Sequence, residues 1–479
     1  MVDVTPRHFI GGAFREASGS QRLAVFDPAT AQVIAEVPQG TAEDVAAAVA
    51  AARNAQRNWA LTTPSERSRL LYRLADAMED DLENLVTIES LNVGKPLQNA
   101  RNETRFAIDL IRFCAGAARC MEGKAAGEYL AGHTSFIRRE PLGIVAGITP
   151  WNYPIVMLAY KLGPALATGN VLIIKPAEQT PLTTLRVAAL AADILPPGVF
   201  NVVTGDEIAG SAIVREREIR LVSLTGSTET GKLIAREAAN DLKRVHLELG
   251  GKAPVVVLDD ADIPAVVAGM RKAAFYNSGQ DCTAATRLIA GAKIYDDLRA
   301  ALAEMVGQVR VGAPRDGEDI EMGPLVSAEQ HARVTSFMER CRATSASIIG
   351  AGSAVPGDGY FFQPTIVADL GQDHELIQSE VFGPVLTLQK FHTESEAVAM
   401  ANGTDYGLGA SLWTRDVGRA MVLSRDIHVG AVWVNCHDRV TPEMPHGGVK
   451  ASGYGKDLSM YSLEDYSHIK HVMIHHGDA

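Results

Sequence analysis

VLIIKPAEQTPLTTLRVAALAADILPPGVFNVV, residues 171–203, carries the clearest indication of architecture in this chain. Val171–Ile174 is a short apolar run followed closely by a proline, which predicts a buried β-strand. Apolar residues at helical spacing come next, and they predict a helix with Thr180 as its cap and Pro181 at its first position. The apolar run Val199–Val203 then completes a strand–helix–strand unit.

The same alternation recurs further along the chain. Leu221–Leu224 predicts a strand that leads through the glycine turn Gly226–Gly231 into a helix. Pro254–Leu258 predicts another strand, which precedes an amphipathic helix. Strands that alternate with helices form parallel sheets covered by helices. We therefore predict an α/β protein.

Two segments outside this pattern alternate polar and apolar residues, namely Glu128–Val145 and Ser467–His475. Such alternation is typical of hairpins and edge strands. Each segment is either a sheet edge that needs a cover or a place where another subunit pairs. We favour the second interpretation, which predicts a homo-oligomer, either a dimer or a tetramer.

Composition narrows the class of protein. At roughly 100–200 residues per domain, the 479 residues predict two to four domains with sizeable cores. The net charge of −12, without a long Lys/Arg run, disfavours a nucleic-acid partner. The five cysteines form no C-x-x-C pair, so we expect reduced thiols and a cytoplasmic location. We see no apolar signal segment and no run of about 18 apolar residues, so we expect no membrane partner.

Cys282 is the strongest candidate nucleophile. It lies in NSGQDCT, residues 277–283, with polar residues on both sides, whereas Cys114 lies in an apolar run typical of structural cysteines. Activation of a thiol depends on neighbours that the local sequence does not reveal. A half-exposed thiol without a function is the alternative.

Glu248 and Asn152 are candidates for a general base and an oxyanion donor. Glu248 lies between two leucines at the end of a predicted strand, and burial there would raise its pKa toward the range of a general base. Asn152 lies in ITPWNYP, residues 148–154, which its prolines and aromatic residues hold rigid, and its amide could stabilise an oxyanion. The alternatives are a solvent-facing edge glutamate and an ordinary turn asparagine.

The segment Gly226–Lys232 has the glycine spacing of a P-loop, but Leu233 stands where a Mg²⁺-binding Ser or Thr is required. Hydrolysis of a nucleoside triphosphate is therefore disfavoured, while the free N–H groups at a helix start can still bind a dinucleotide pyrophosphate. Lys175 and Glu178 follow a predicted strand, at the end where α/β sheets bind ligands, and they suit contacts to ribose or phosphate. Solvated loop charges are the alternative. No metal site is predicted, because the C-terminal histidines lack partners at ligand spacing.

Seven motifs in order resemble the aldehyde dehydrogenase superfamily, and the resemblance covers nearly the whole chain. They are PWNYP (150–154), KPAEQTP (175–181), LTGSTETGK (224–232), LELGGKAP (247–254), GQDC (279–282), EVFGPV (380–385) and MPHGGVKASGYGKDLS (444–459). Each motif is weak alone, but their order and spacing are specific. The loop 205–210 is shorter than in the usual family version, which leaves the fine geometry of cofactor binding open.

The resemblance implies a Rossmann-like NAD-binding domain, an α/β catalytic domain and a small β oligomerisation arm. It places the NAD-binding domain at residues 1–120 and 143–249 and the catalytic domain at 250–449. The oligomerisation strands would lie at 121–142 and 460–479.

The resemblance also implies a mechanism and a cofactor. The Cys282 thiolate would attack the aldehyde carbon, and the Asn152 amide would hold the oxyanion together with the Cys282 N–H. Hydride would pass to NAD, leaving a thioester, and Glu248 would activate the water that releases the carboxylic acid. By family position the cofactor site comprises Trp151, Lys175, Glu178, Gly226, Ser227, Glu380 and Phe382. Glu178 favours NAD over NADP, because a carboxylate that binds a 2′-hydroxyl repels a 2′-phosphate.

Within the superfamily, the chain most resembles the γ-aminobutyraldehyde dehydrogenase group. The resembling segments are 112–120, 126–134, 279–285 and 453–473. The implied substrate is an ω-aminoaldehyde such as 4-aminobutanal, with betaine aldehyde, uncharged aldehydes and semialdehydes as alternatives. Glu248 disfavours a CoA-acylating semialdehyde dehydrogenase, which lacks this glutamate, and the presence of Cys282, Asn152 and Glu248 together disfavours a non-catalytic scaffold.

An ammonium-bearing substrate predicts negative charge along its tunnel. Glu103 and Asp109, on a helix predicted over 102–113, and Asp281 are the candidate acids, with solvated surface acids as the alternative. By family position the tunnel walls include Tyr153, Met157, Tyr160 and Val440. Arg439 would repel a cationic substrate if its side chain faced the tunnel.

Overall fold

The structure, a computed structural model, describes residues 4–355 and 357–477. Residues 1–3 and 478–479, which belong to the predicted NAD-binding domain and oligomerisation strands, lie outside the described residues, as does Pro356.

Twenty strands and fifteen α-helices are found in the described residues. The strands are β1 (His8–Ile10), β2 (Ala13–Arg15), β3 (Arg22–Asp27), β4 (Gln32–Pro38), β5 (Ala126–Leu130), β6 (His133–Pro141), β7 (Ile144–Ile148), β8 (Val171–Lys175), β9 (Phe200–Val202), β10 (Ile219–Thr225), β11 (Arg244–Glu248), β12 (Pro254–Val257), β13 (Arg287–Gly291), β14 (Ser347–Ile349), β15 (Thr365–Ala368), β16 (Val385–Phe391), β17 (Gly409–Trp413), β18 (Ala431–Val434), β19 (Gly453–Tyr454) and β20 (Ser467–His475). The helices are α1 (Ala42–Ala60), α2 (Pro64–Asp80), α3 (Leu82–Val93), α4 (Leu97–Ala117), α5 (Pro154–Ala167), α6 (Leu182–Ala191), α7 (Glu207–Arg215), α8 (Thr228–Ala238), α9 (Ile263–Ala273), α10 (Tyr295–Gly307), α11 (Ala328–Arg342), α12 (Glu375–Gln378), α13 (Glu394–Asn402), α14 (Val417–Asp426) and α15 (Ser459–Asp465).

The first sheet has the strand order β19-β11-β10-β7-β8-β9-β1-β2. Strands β7 to β11 are parallel, and their order is that of a doubly wound sheet whose connections reverse between β7 and β10. Every residue of β7 and β8 is buried, since helices α1 and α5 pack on these strands. Continuous apolar runs such as Val171–Ile174 are therefore the pattern that a covered parallel strand requires.

The second sheet has the strand order β14-β15-β16-β13-β12-β17-β18, in which only β14 is antiparallel to its neighbour. All seven strands lie within the segment 250–449. Together with the first sheet, they confirm the predicted α/β class. The domain boundaries and their assigned roles stay predictions.

The two alternating segments form a small third sheet with each other. Strand β20 pairs antiparallel with β6 from Ser467 opposite Pro141 to His475 opposite His133, and β6 also pairs with β5. One edge of each segment is thus paired with a strand of the same chain. The end of the segment Glu128–Val145 enters the first sheet as β7 instead. The homo-oligomer stays a prediction.

The predicted start of the helix in the 171–203 unit is wrong. Helix α6 begins at Leu182, Pro181 occupies its cap position, and no side chain caps it. The Thr180 hydroxyl donates instead to the Trp151 carbonyl at 3.0 Å. This contact ties the segment after β8 to the segment after β7.

The main hydrophobic core lies around the first sheet, and separate clusters line the second sheet. Among the described helices, none combines the length and the apolarity needed to cross a membrane.

Candidate active site

Four neighbouring parallel strands of the first sheet end in polar residues at one edge. Glu248 is the last residue of β11 and Thr225 the last of β10, while Thr149 follows β7 and Lys175 ends β8. The hydroxyls of Thr225 and Thr149 are buried and have no hydrogen-bond partner. This edge lies outside the carboxyl ends of β7 and β10, where the sheet reverses and where α/β sheets bind ligands.

A strained turn carries Cys282. Asn277, Ser278 and Gly279 have φ values of 47°, 59° and 69°, three left-handed residues in succession. A side chain on Gly279 would overlap the Gly383 carbonyl, so glycine is required there. Strain of this kind persists where the surrounding structure holds it, and it is concentrated at functional sites.

Asn152 is bound directly to this turn. Its side-chain Nδ2 donates to the Gln280 carbonyl at 3.0 Å. Its backbone carbonyl accepts from Asn277 Nδ2 at 3.0 Å and from the buried Lys95 Nζ at 2.9 Å. The predicted oxyanion donor is therefore fixed two residues from Cys282, and one hydrogen of its NH₂ group is left for a ligand.

The chain that leaves β11 packs against Cys282. A Cβ atom on Gly251 would overlap the Cys282 carbonyl oxygen, and a Cβ on Gly250 would overlap the Glu380 carboxylate. The Gly251 N–H donates to Glu380 Oε1 at 2.8 Å. The two glycines after Glu248 thus allow residues of the second sheet's loops to approach the edge of the first sheet.

Glu248 is buried, and its Oε1 has no hydrogen-bond partner. A Cβ on Gly447 would lie 2.5 Å from this oxygen, so the glycine-rich segment after Met444 closes over the carboxyl group. His446 Nε2 lies 3.9 Å from Glu248 Oε2. Burial and the nearby Asp457 raise the pKa of Glu248 to about 8, as a general base near neutral pH requires.

The Cys282 thiol is partly buried and stays protonated at rest. Burial, with Asp281, Glu248 and Glu380 around it, raises the pKa of Cys282 well above its usual range. The thiol therefore needs a nearby proton acceptor before it can attack a carbon atom.

The predicted cofactor residues after β8 and β10 are placed along the same edge. Lys175 Nζ donates to the carbonyls of Gly205 at 2.8 Å and Pro176 at 3.0 Å, and it lies 3.7 Å from Glu178 Oε2. Glu178 is half-buried. Gly226 follows β10, and the exposed Ser227 caps helix α8 by accepting from the Thr230 N–H. The N-terminal end of helix α8, with its free backbone N–H groups, therefore faces this edge.

Glu380 and Phe382 reach the edge from the loop before β16. The Phe382 ring meets the Trp151 ring edge-on, with centroids 5.1 Å apart. Gln330 Nε2 donates to the Phe382 carbonyl at 2.6 Å and holds this loop. Burial raises the pKa of Glu380 to about 7.

A pair of carboxyl groups lies beside Cys282. Tyr153 donates its hydroxyl hydrogen to Asp281 Oδ2 at 2.7 Å. The Thr283 hydroxyl lies 2.8 Å from Asp281 Oδ1 and 3.0 Å from Asp438 Oδ1. Burial and the nearby Asp281 raise the pKa of Asp438 well above its usual range, which favours the protonated form of Asp438.

Sequence reasoning missed Asp438. It follows β18 by four residues, so the general rule that polar residues gather after parallel strands could have drawn attention to it. Its positive φ of 50° in a polar loop is typical of an aspartate in a turn, and nothing local in NCHDRV shows that it meets Thr283.

The other predicted tunnel residues fall into two groups. Met157 and Tyr160 are buried on α5, and Val440 is half-buried. Glu103 is buried and paired with Lys95, which also lies 3.6 Å from the buried Glu89. Asp109 lies on the exposed face of α4, and none of the described contacts joins it to Cys282. The structure therefore brings Asp281, and not Asp109, to the nucleophile.

Comparisons with known proteins agree with this arrangement. The model of the aldehyde dehydrogenase family matches residues 14–472. Human aldehyde dehydrogenase 1A1 is 39% identical over 476 residues, covering 97% of this chain and 94% of that protein. An aldehyde dehydrogenase of Emericella nidulans is 39% identical over 475 residues, covering 98% and 95%. The crystal structure of betaine aldehyde dehydrogenase from Staphylococcus aureus in complex with NAD⁺ gives a TM-score of 0.97 at 34% identity, covering 99% of this chain and 96% of that chain.

The chain belongs to the aldehyde dehydrogenase family. The resemblance seen in the seven motifs is thereby confirmed, and the protein is an enzyme of this family.

Proposed function

We propose that the chain oxidises an ω-aminoaldehyde, such as 4-aminobutanal, to its carboxylic acid with NAD, through a thioester on Cys282. One observation carries the proposal. The Cys282 turn is bound to Asn152 and packed against the glycines that follow the buried Glu248, so nucleophile, oxyanion donor and base meet at one sheet edge.

Each of the three residues has a defined task. The Cys282 thiol gives its proton to water in the cleft and its Sγ bonds to the aldehyde carbon, while the free hydrogen of Asn152 Nδ2 and the Cys282 N–H hold the developing oxyanion. Loss of one such donor costs about 3 kcal/mol or more. Glu248, with a pKa near 8, then accepts a proton from the water that attacks the thioester carbonyl.

The residues at this edge suit a dinucleotide. The partnerless hydroxyls of Thr149 and Thr225 and the start of α8 offer the donors that pyrophosphate and ribose oxygens need, and Glu178 and Glu380 offer acceptors for ribose hydroxyls. The proposed cofactor site also includes Lys175, Trp151, Phe382, Gly226 and Ser227. Bound NAD⁺ would supply the acceptor for the hydride lost by the aldehyde carbon. Glu178 favours NAD over NADP by repelling a 2′-phosphate.

The carboxyl pair supports an ammonium-bearing substrate. Burial favours the protonated form of Asp438 in the absence of a cation, and a substrate ammonium could take the place of that proton. Tyr153 fixes Asp281 from the other side. Arg439 lies close enough to lower the pKa of Asp438, but its side chain is exposed, so solvent weakens its effect on a cation. Betaine aldehyde is the second candidate, because the similar Staphylococcus aureus structure is a betaine aldehyde dehydrogenase. Its trimethylammonium group, however, has no N–H to donate.

We also propose that the third sheet is the oligomerisation arm. Its outer strands leave Tyr129 and Leu130 of β5 and Ile469, Met473 and Ile474 of β20 exposed. Apolar residues on exposed strands are typical of interfaces between subunits.

The test follows NADH absorbance with NAD and three aldehydes: 4-aminobutanal, butanal and betaine aldehyde. We expect a kcat/KM preference for 4-aminobutanal that falls about tenfold, or 1.4 kcal/mol, in Asp438→Asn. Asp109→Asn is the matched control and should leave the preference intact, because this acid is solvated.

Equal kcat/KM for 4-aminobutanal and butanal would contradict the amine assignment. No NADH with any aldehyde would favour a scaffold, and a thioester product formed on addition of CoA would favour an acylating enzyme.

A further inference from the structure

A chain of four buried or half-buried charges lies behind Glu248. Lys161 Nζ on α5 lies 2.8 Å from Asp457 Oδ2. Asp457 Oδ1 lies 3.3 Å from His246 Nε2, and His246 Nδ1 lies 3.1 Å from Asp465 Oδ2 on α15. Lys161, His246 and Asp457 are buried, while the Asp465 side chain is 41% exposed.

The two carboxylates that face His246 favour its cationic form, although the Nε2 contact to Asp457 Oδ1 is an ion pair without hydrogen-bond geometry. Both of its ring nitrogens face carboxylate oxygens, and a neutral imidazole carries only one N–H. A neutral ring that donates to Asp465 would turn its Nε2 lone pair toward Asp457, which has no hydrogen to offer. The two carboxylates raise the pKa of His246 to about 9 despite its burial. With His246 charged, the four groups carry no net charge.

His246 also lies on the same face of strand β11 as Glu248. The two residues are two positions apart on one strand, and side chains repeat every second residue. The segment 446–455 closes over this face: a Cβ on Gly447 would press on Glu248, and one on Gly455 would lie 2.6 Å from His246 Nδ1. Both side chains are buried, so charges interact more strongly between them than in solvent.

We propose that His246 is a positioning residue for the proposed deacylation step, whose buried positive charge keeps Glu248 able to give up its proton near neutral pH. This inference rests on the proposed function of Glu248 as base. Without the cation, the charge cluster would be negative, and Glu248 would hold its proton more tightly.

The groups that bear on this balance come from several elements. Around His246 and Glu248 they are Cys114 of α4, Tyr160 and Lys161 of α5, Cys282, His446 of the closing segment, Lys456 and Asp457 directly after it, Asp465 of α15 and the adjacent Tyr466. Within residues 4–355 and 357–477, only His246 and Lys161 oppose the carboxylate of Asp457 by direct contact. Replacing His246 therefore removes one of two cations, while the Lys161 pair remains.

The experiment compares the pH dependence of kcat in the full enzyme and in His246→Gln, from pH 6 to 10, with 4-aminobutanal and saturating NAD. We expect the acid limb of the profile to move upward by about one pH unit, with a loss of about tenfold at neutral pH that is recovered at high pH. Asp465→Asn removes one negative charge while Asp457 still faces His246, so the cluster becomes more positive and the limb should move less and in the opposite direction. His392→Gln, an exposed histidine directly after β16, is the control that should leave the limb in place.

The outcomes separate this inference from the proposed function. If His246→Gln or Asp465→Asn lowers kcat equally at every pH, or leaves the limb in place, the inference is overturned while the function stands. If the unaltered enzyme oxidises no aldehyde at any pH, the proposed function itself fails. Asp465→Asn keeps the inference testable if His246→Gln does not fold.

Discussion

Gly251→Ala tests the packing that joins the two sheets at the nucleophile. The added Cβ would lie well inside the 3.0 Å that real Cβ contacts respect, against the Cys282 carbonyl oxygen. To restore an ordinary contact, the Cys282 backbone must move by about 1 Å. A displacement of about 1 Å at reacting groups costs about 100-fold in rate, or about 2.7 kcal/mol of transition-state stabilisation.

The assay is kcat/KM for 4-aminobutanal, followed as NADH absorbance, beside a thermal unfolding curve. Gly307→Ala is the matched control, since a Cβ at that helix end meets nothing within 4 Å. We expect the control to keep full activity and Gly251→Ala to lose about 100-fold while it still folds. A folded Gly251→Ala enzyme within twofold of the unaltered one would refute the argument that this contact positions Cys282.

Further predictions concern the catalytic residues and the buried ion pair. Cys282→Ala should abolish NADH formation while NAD still binds, measured by quenching of protein fluorescence; residual turnover would remove the thiol from the mechanism. Glu248→Gln should give a burst of NADH followed by slow turnover, because the thioester forms but is not hydrolysed. In the unaltered enzyme, kcat should rise about tenfold from pH 7 to 9, because the raised pKa of Glu248, about 8, leaves the carboxyl mostly protonated at pH 7 and ionised at pH 9; a flat profile would contradict this assignment. Asp457→Asn should destabilise the fold by about 3–5 kcal/mol, read as a lower urea midpoint, because Lys161 would stay buried without its partner.

The sequence was sufficient to predict the α/β class, and it drew attention to the three residues of the candidate site. Apolar runs such as Val171–Ile174 are buried on both sides, so their composition alone marks them as covered parallel strands. Cys282, Glu248 and Asn152 stood out because a polar turn, an acid between leucines and a rigid amide are locally unusual. The structure adds that they share one edge, which follows from the order of strands and not from any of the three motifs.

Other features depended on contacts between distant parts of the chain. Thr180 looks like a helix cap, but the Trp151 carbonyl competes for its hydroxyl. The local sequence presents Glu103 as a free acid on a helix, but in the structure its carboxylate is paired with Lys95 in the core. Asp438 meets Thr283 across 155 positions of sequence. A local sequence pattern indicates which contacts a side chain can make. Which of these contacts forms depends on the residues that the fold brings next to it.

The pairing of β20 with β6 also bears on how the protein is made. Ser467 lies 328 positions after Arg139, with which it shares a hydrogen bond. A ribosome must therefore add more than three hundred residues after β6 before β20 can reach it. During that interval, the edge of β6 that β20 later covers has unpaired backbone groups, which can pair with other strands. In the growing polypeptide, this bare edge is a natural target for a chaperone.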